Sequence, residues 1–598
     1  MDCLTDPAPI VGSTRTAHAK TSLTGLSVSR ALRAAIGMSL MFAAGYAGAQ
    51  AAPPQVPNSG QILQELERKP SVQPQLPGKA LAEVSSRDAD LTAGAEIKSD
   101  LRIDVRGYKL SGNHAFSDAE LLPLVASKTG TASISQIEEA AANITRYYRD
   151  RGYMVARAFL PYQEVRGGIV KLEIIEGHFG QVRIENSSNI SDRRLRATLE
   201  RASCNTAECT EDLIREAPLE KGMLRLADLP GVLVRGSLQP GDKIGTADLV
   251  LQAVPAQRFA GSLDVSDYGG RYVGAERATL SLAFNSPFGI GDRINLQGAY
   301  SEGSTYLSAG YDLPINYRGT RLFFSGYKMD YELQDDFKAL GAQGDTVGGE
   351  IGVTHNFVRT SRHSLTGRVT YGQKSIEDEI QIAGTSNERK ATTYSAQIDG
   401  AMNDWWLGTS ALNRLSLGYT AGELDIQDPL SHLIDAATAR TDGSFDKVVY
   451  WLSRDQQITP RWSVFARVTG QIADQNLDSS EKFYLGGPSA VRAYPVGEAA
   501  GDRGVLASAE VRRVFDIPLI GLAQASMFYD YGRVRTDAQA WSADGGRSRN
   551  LDGYGLSINW SNPKGFSLAS SIAFRGDEDV RSGPDRDYQV WVSGGYRF

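Results

Sequence analysis

One arginine stands in the uncharged stretch Leu485-Gly486-Gly487-Pro488-Ser489-Ala490-Val491-Arg492-Ala493-Tyr494-Pro495, inside the longest loop of the C-terminal half. A guanidinium presents its N–H donors as a rigid planar fork. The chemistry open to Arg492 is therefore bidentate recognition of a carboxylate rather than bond making. Side-chain alternation in two nearby segments supplies the carboxylates. Between Val505 and Phe515, Ser508, Glu510 and Arg512 share one face, and Val505, Ala507, Ala509 and Val511 the other. Between Leu522 and Gly532, Gln524, Ser526, Phe528 and Asp530 oppose Ala523, Ala525, Met527, Tyr529 and Tyr531. Glu510 and Asp530 are thus expected on one polar wall within reach of Arg492, making the loop folded back and anchored. A solvated loop charge is the alternative.

No other constellation argues for a reaction. The 6 histidines lack metal or triad spacing, and neither a cofactor nor a metal is expected. Arg575-Gly576-Asp577 reads as a chance loop triplet. Cys204 and Cys209 are poorly placed for nucleophilic work. In an oxidising compartment they form a candidate disulfide, whereas a metal pair would need ligands that the histidines do not provide. The protein is not expected to be an enzyme.

The elements that position Arg492 belong to a chain of 598 residues, with an apolar fraction of 41%, 62 Gly and 3 Cys. That composition excludes both a helical membrane protein and a disulfide-built scaffold. A net charge of −7, with both signs interspersed, leaves no basic footprint, so no nucleic-acid partner is expected. Residues 1–49 read as an export signal. Arg30 and Arg33 form the positive flank, Ala34 to Ala44 is apolar but too short to span, and Ala47-Gly48-Ala49 offers a cleavage site. Residues 50–100 form a proline-punctuated linker around one short helical interval near 59–68, with Ile62, Leu63 and Leu66 at helical spacing. A helix so short is marginal alone, so it either frays or is held in a cavity.

Residues 101–178 and 179–255 read as two small α+β units in series. The first has Ile103 and Val105 in a strand, then capping-box sequences at Ser117–Glu120 and Ser135–Glu138. A helical stripe of Ile137, Ala140, Ala141, Ile144, Tyr147 and Tyr148 ends at Gly152, and strands follow over Tyr153–Leu160 and Ile169–Ile175. The second repeats the order around Val182–Ile184, helices near Asp192–Arg201 and Met223–Leu229, and strands at Val232–Val234 and Ala247–Leu251. Open edges of such sheets are templates for an added peptide strand; the alternative is that the units are spacers.

From 256 to 598 helical periodicity disappears. Segments of some ten residues alternate in polarity, and their connections alternate short and long. The tight ones include Asn285–Pro287, Val358–Arg362, Ile458–Pro460 and Asn562–Gly565. The long ones are Gln373–Arg389, Glu423–Ser444, Ala473–Gly504 (containing the loop, 473–504), Val534–Asn550 and Arg575–Asp587. This is the pattern of a transmembrane antiparallel β-barrel of about sixteen strands. In the last segment Tyr588, Val590, Val592, Gly594, Tyr596 and Phe598 share the face assigned to lipid. Outer-membrane lipid is therefore an expected partner. A barrel this wide encloses an aqueous channel and requires a plug, for which the helix near Ile62 and the Arg492 loop are the candidates.

Together, Leu485-Gly486-Gly487, Val491-Arg492-Ala493-Tyr494, Phe528-Tyr529-Asp530, two units similar to polypeptide-transport-associated (POTRA) domains and a C-terminal barrel resemble the two-partner-secretion transporter family, TpsB, of Gram-negative bacteria. The resemblance covers nearly the whole mature chain. It implies a protein of the outer membrane, with periplasmic N-terminal domains, that exports a partner exoprotein of adhesin or haemolysin type without ATP. The partner's N-terminal secretion domain would be captured by the periplasmic domains. It further implies a plug helix, matched at Ser59 to Arg68, and a loop anchor of Arg492 with Tyr494 on Asp530, Glu510 being a second partner. The terminal Phe598 resembles the signal read by the barrel-assembly machinery. The family has Gly where this chain has Ala493, and alanine tolerates a positive φ poorly, so a different local turn is expected there. A barrel-assembly factor would share the barrel and the loop arginine but resembles chains with more than two units, and a solute porin needs none.

Overall fold

The computed structural model describes residues 56–67, 85–86, 102–204, 209, 212–406, 408–541 and 546–598. The expected export signal and the rest of the linker lie outside these residues.

Between Arg102 and Ile175, Arg102–Val105 pairs with Gly130–Ser133, while Gly107–Ser111 runs parallel and Arg157–Phe159 antiparallel to Ile169–Ile175. The helix Ile134–Asp150 covers these strands with Ile137, Ala140, Ala141, Ile144 and Tyr148, all buried. This is the face that a 3.6-residue period brings together. The helix starts earlier than the capping box read at Ser135, because Ser133 caps it. Ser133 Oγ accepts from Gln136 N at 3.3 Å, and Gln136 Oε1 accepts from Ser133 N at 2.9 Å. Ser133 also ends the strand Gly130–Ser133, and its extended backbone (φ −76°, ψ 162°) is what an N-cap needs. Gly152, at φ +86°, follows the helix end.

The second unit has strands His178–Asn186, Val232–Pro240 and Thr246–Pro255 and helices Asp192–Ser203 and Glu216–Ala227. Its second helix begins at Glu216 rather than near Met223. Pro218 reads as a breaker in sequence but sits in the first turn, where no intrahelical N–H is required. Leu195, Leu199, Met223, Leu226, Leu249 and Leu251 form its core. A disulfide joins Cys204 to Cys209 just after the first of these helices. The linker residues Ser85–Ser86 pair in parallel with Ser237–Leu238 and complete a four-stranded sheet.

The chain then passes from Pro255 into a closed antiparallel barrel that starts at Phe259–Ser266 and ends at Tyr588–Arg597, which pair with each other. It has sixteen strands. The second unit is fixed to barrel turns. Arg359 Nε and Nη2 donate to Asp228 at 2.9 and 2.8 Å, Glu220 Oε1 accepts from Ser361 N at 3.0 Å, and Arg194 donates to the Pro314 carbonyl at 2.9 Å. Tight turns therefore lie on the side of the units and long connections on the other. One expected long loop is absent. Residues 373–389 are mostly strand, because His363–Ile380 and Thr385–Trp406 stay paired and leave only 381–384 unpaired. The paired strands continue past the lipid zone here with polar residues on both faces, so the sequence pattern reads as loop what is a raised hairpin. The stretch expected at 423–444 likewise contains a helix, Pro429–Ala437. In the last strand Tyr588, Val590, Val592 and Tyr596 face outward, while Trp591 is buried inside.

Candidate functional site

The loop 474–502 folds back into the lumen. Val491, Ala493 and Tyr494 are fully buried and pack with Leu485, Leu506 and Phe528. Apolar contact thus carries the loop inward and presents Arg492 to the wall. Arg492 Nε and Nη2 donate to the two oxygens of Asp530 at 2.8 and 2.9 Å, and the backbone N–H of Arg492 adds a third bond to Asp530 at 3.2 Å. Glu510 takes Nη2 at 3.0 Å and also accepts from Arg512 Nε at 2.8 Å. The guanidinium stacks on Phe528, 3.4 Å from the ring centroid. Burial alone pushes the guanidinium pKa down, but Asp530 and Glu510 more than offset it and hold the group charged. Trp591 Nε1 donates to the Arg492 carbonyl at 2.7 Å, Arg467 Nη2 to the Ser489 carbonyl at 2.9 Å, and Tyr494 OH to the Glu578 carbonyl at 3.1 Å.

The turn at Ala493 has no positive φ, so alanine carries no backbone strain there. Its methyl packs against Gly553 of the wall, where a Cβ would overlap it. The space an arginine-flanking glycine would leave is filled from the loop side, and the wall supplies the glycine instead.

The helix Ser59–Glu67 also lies inside the barrel. Asn58 begins it: Asn58 Oδ1 accepts from Gln61 N at 3.2 Å and the Asn58 carbonyl from Ile62 N at 3.1 Å. Ile62, Leu63 and Leu66 are buried against Val273, Tyr306, Met329 and Tyr331 of the wall. Ser59 N and Oγ donate to Asp378 Oδ1 at 2.9 and 2.5 Å, and Arg277 donates to the Glu65 carbonyl at 3.3 Å. The helix and loop touch: Gln64 Nε2 donates to the Ser480 carbonyl at 2.7 Å, and a Cβ on Gly60 would collide with the Ser480 backbone. Only glycine allows that approach.

A second ionic cluster, which the sequence reading missed, fastens the stem of the loop beneath the helix. Glu481 accepts from Lys374 at 2.6 Å and pairs with Lys447 at 2.7 Å, while Arg389 bridges Asp478 and Asp378. Only Lys447 carries a parity signal, since Lys374 and Arg389 fall in the stretch 373–389 that the sequence pattern reads as a long loop. Burial pushes both loop carboxyls up; Lys374 and Lys447 at Glu481, and Arg389 with Ser480 at Asp478, hold them down at about 2. Those attachments persist through neutral and mildly acidic pH and are lost only as pH falls toward that value.

Glu67 behaves in the opposite sense. It reaches lumenal water but is enclosed by protein. That enclosure raises its pKa, Lys374 opposes the rise and Glu350 and Glu481 add to it, so the carboxyl lies at about 7 against an ordinary 4.5. The docked helix favours the protonated acid. Its docking contribution is fully present below the ordinary value and is lost as pH rises through about 7. Spontaneous openings in planar bilayers are expected to be more frequent at pH 8 than at pH 5, and Glu67→Gln should flatten the difference. Equal opening at both pH values in the native chain would contradict this.

Sixteen strands around a filled lumen, long connections on one side and small α+β units on the other define an outer-membrane transport barrel. The chain belongs to the haemolysin secretion/activation protein family ShlB/FhaC/HecB, which matches residues 245–586, and a ShlB-type POTRA domain matches residues 103–177. It is similar to the heme/hemopexin transporter protein HuxB of Haemophilus influenzae strain 86-028NP, 27% identical over 544 residues, covering 90% of this chain and 94% of that one. It is also similar to the outer membrane transporter CdiB of Escherichia coli O6:K15:H31, 24% identical over 444 residues and 72% of each chain. Among solved structures, CdiB from Escherichia coli shares the fold with a TM-score of 0.64 at 20% identity, over 90% of this chain and 96% of that one. The protein is an outer-membrane transporter that secretes a partner exoprotein, with its N-terminal domains in the periplasm.

Proposed function

We propose that the periplasmic units capture an extended segment of an adhesin- or haemolysin-type partner, that this segment displaces the helix Ser59–Glu67, and that the partner then passes the lumen unfolded, with no catalysis and no ATP. The observation that carries this reading is the lumen itself. It is filled by two pieces, the helix Ser59–Glu67 and a loop joined to two strands, and each is held by side-chain contacts. Folding of the partner outside gives the passage its direction. In this reading residues 101–178 and 179–255 are both POTRA units, and 256–598 is the conduit. Arg492, Tyr494, Glu510 and Asp530 anchor the loop, and Ile62, Leu63 and Leu66 seat the plug.

Edge strands support capture. Gly107–Ser111 and Arg157–Phe159 flank Ile169–Ile175. The outer side of Arg157–Phe159 is already used, since Ala158 N donates to Thr145 Oγ1 at 2.9 Å, whereas Gly107–Ser111 has one pairing side open among the described residues. Extended peptide adds to such edges through main-chain hydrogen bonds. A photo-crosslinking scan across both units during secretion should trap the partner at edge positions and spare the helix faces. Silence at every position would leave the units as spacers.

Barrel assembly and lipid are the remaining proposed partners. Phe598 closes the seam, donating its N–H to the Gly261 carbonyl at 3.0 Å and accepting from Gly261 N at 2.9 Å. Its ring is exposed beside Phe259 and Tyr596, which suits a terminal signal read before closure.

A further inference from the structure

The lipid face of one strand carries a cation among its apolar residues. In the strand Arg503–Ile517, Val505, Val511 and Phe515 belong to the lipid face, and Arg513 stands between the last two with the same parity. It is exposed and makes no ion pair or hydrogen bond among the described residues. Two rings hold it instead, Trp462 at 5.1 Å and Phe515 at 4.8 Å from the guanidinium carbon. Trp462 is the first residue of its strand and pairs directly with Arg513, so the cation lies at the periplasmic rim of the apolar band. Arg461, immediately before Trp462, is exposed and equally without a carboxylate partner among the described residues. From Arg513 a groove of about 610 Å³ runs along the lipid face, floored by Val511, Met527, Leu556, Ile558, Ile572 and Val590.

An uncompensated arginine facing lipid costs little at the interface, where it snorkels, and gains when a headgroup phosphate meets it. Aromatic flanks fix the planar fork, which matches a phosphate in bidentate fashion, and the apolar floor suits an acyl chain. We propose that Arg513, Trp462 and the groove beside them form a binding site for one anionic glycerophospholipid of the periplasmic leaflet, phosphate on the guanidinium and acyl chain in the groove. Two cations without counter-charges favour a lipid of net negative charge over a zwitterionic one. This reading rests on the outer-membrane location and not on the transport mechanism.

The test is native mass spectrometry of the full chain released from nanodiscs containing phosphatidylethanolamine and phosphatidylglycerol in equal amounts. The wild type should retain phosphatidylglycerol preferentially, and Arg513→Gln should lower that retention by about tenfold, the size expected for loss of one charge-assisted contact. Lys328→Gln, which removes a cation at the opposite rim that is already paired with Asp330, should retain the lipid as the wild type does. Heat-modifiable mobility of both variants reports that the barrel is folded. Equal retention by Arg513→Gln and wild type, or no preference between the two lipids in the wild type, would overturn the proposal.

Discussion

Replacing Arg492 with alanine is expected to reduce secretion of the partner to a small fraction of the wild-type level while leaving a folded, heat-modifiable barrel in the outer membrane. The substitution removes the only cation among the described residues that faces Asp530 at bonding distance, and Asp530 is fully buried. Removing one member of a buried pair costs about 3–5 kcal/mol, because the abandoned charge keeps its desolvation penalty. Such a loss moves the equilibrium between anchored and free loop by more than about a hundredfold. The barrel survives because its strands are closed by main-chain hydrogen bonds that Arg492 does not make. Arg492→Lys should recover only part of the function, since an ammonium cannot span both Asp530 oxygens and also stack on Phe528. Immunoblotting of the medium for the exported partner, beside unheated gels of the membrane fraction, separates the two effects. Normal secretion by Arg492→Ala would remove the loop anchor from the mechanism.

Much of this geometry was legible because barrel strands have a period of two. Parity alone placed Glu510 and Asp530 on the face that Arg492 meets, and Tyr588, Val590, Val592 and Tyr596 on the face toward lipid. Parity does not give height along the wall, so it could not say that Lys374 and Lys447 stand at the level of Glu481. That fact depends on the stagger of strands far apart in sequence, and on a loop stem whose polar residues, Asp478 and Glu481, look like ordinary surface. The extended hairpin around 381–384 was misread for a related reason. Strands that leave the membrane lose the apolar half of their alternation while keeping their hydrogen bonds. Inside the units, the helix is capped by Ser133 and not by Ser135, where the sequence shows a capping box, because Ser133 ends a strand whose pairing no local pattern contains.

The second large effect concerns the helix Ser59–Glu67. Nine residues do not hold a helix in water, and this one is stabilised by burying Ile62, Leu63 and Leu66, each worth about 1.5–3 kcal/mol if fully removed from water. Polar contacts to Asp378, Arg277 and Ser480 fix its register. Deleting residues 61–68 should therefore leave a barrel with a markedly larger and more persistent single-channel conductance, whereas a chain whose helix is held in place should conduct only as the resting protein does. An unchanged trace after deletion would mean that the helix does not limit the pore.

Secretion by a tethered helix tests the displacement mechanism most directly. Ser59→Cys and Asp378→Cys, in a chain with Cys204→Ser and Cys209→Ser, can be bridged by a short reducible thiol crosslinker, since the native side chains at 59 and 378 are in hydrogen-bond contact. If the partner must push the helix aside, secretion stops when the bridge is formed and returns when a reductant cleaves it. Undiminished secretion with the bridge intact would contradict the mechanism.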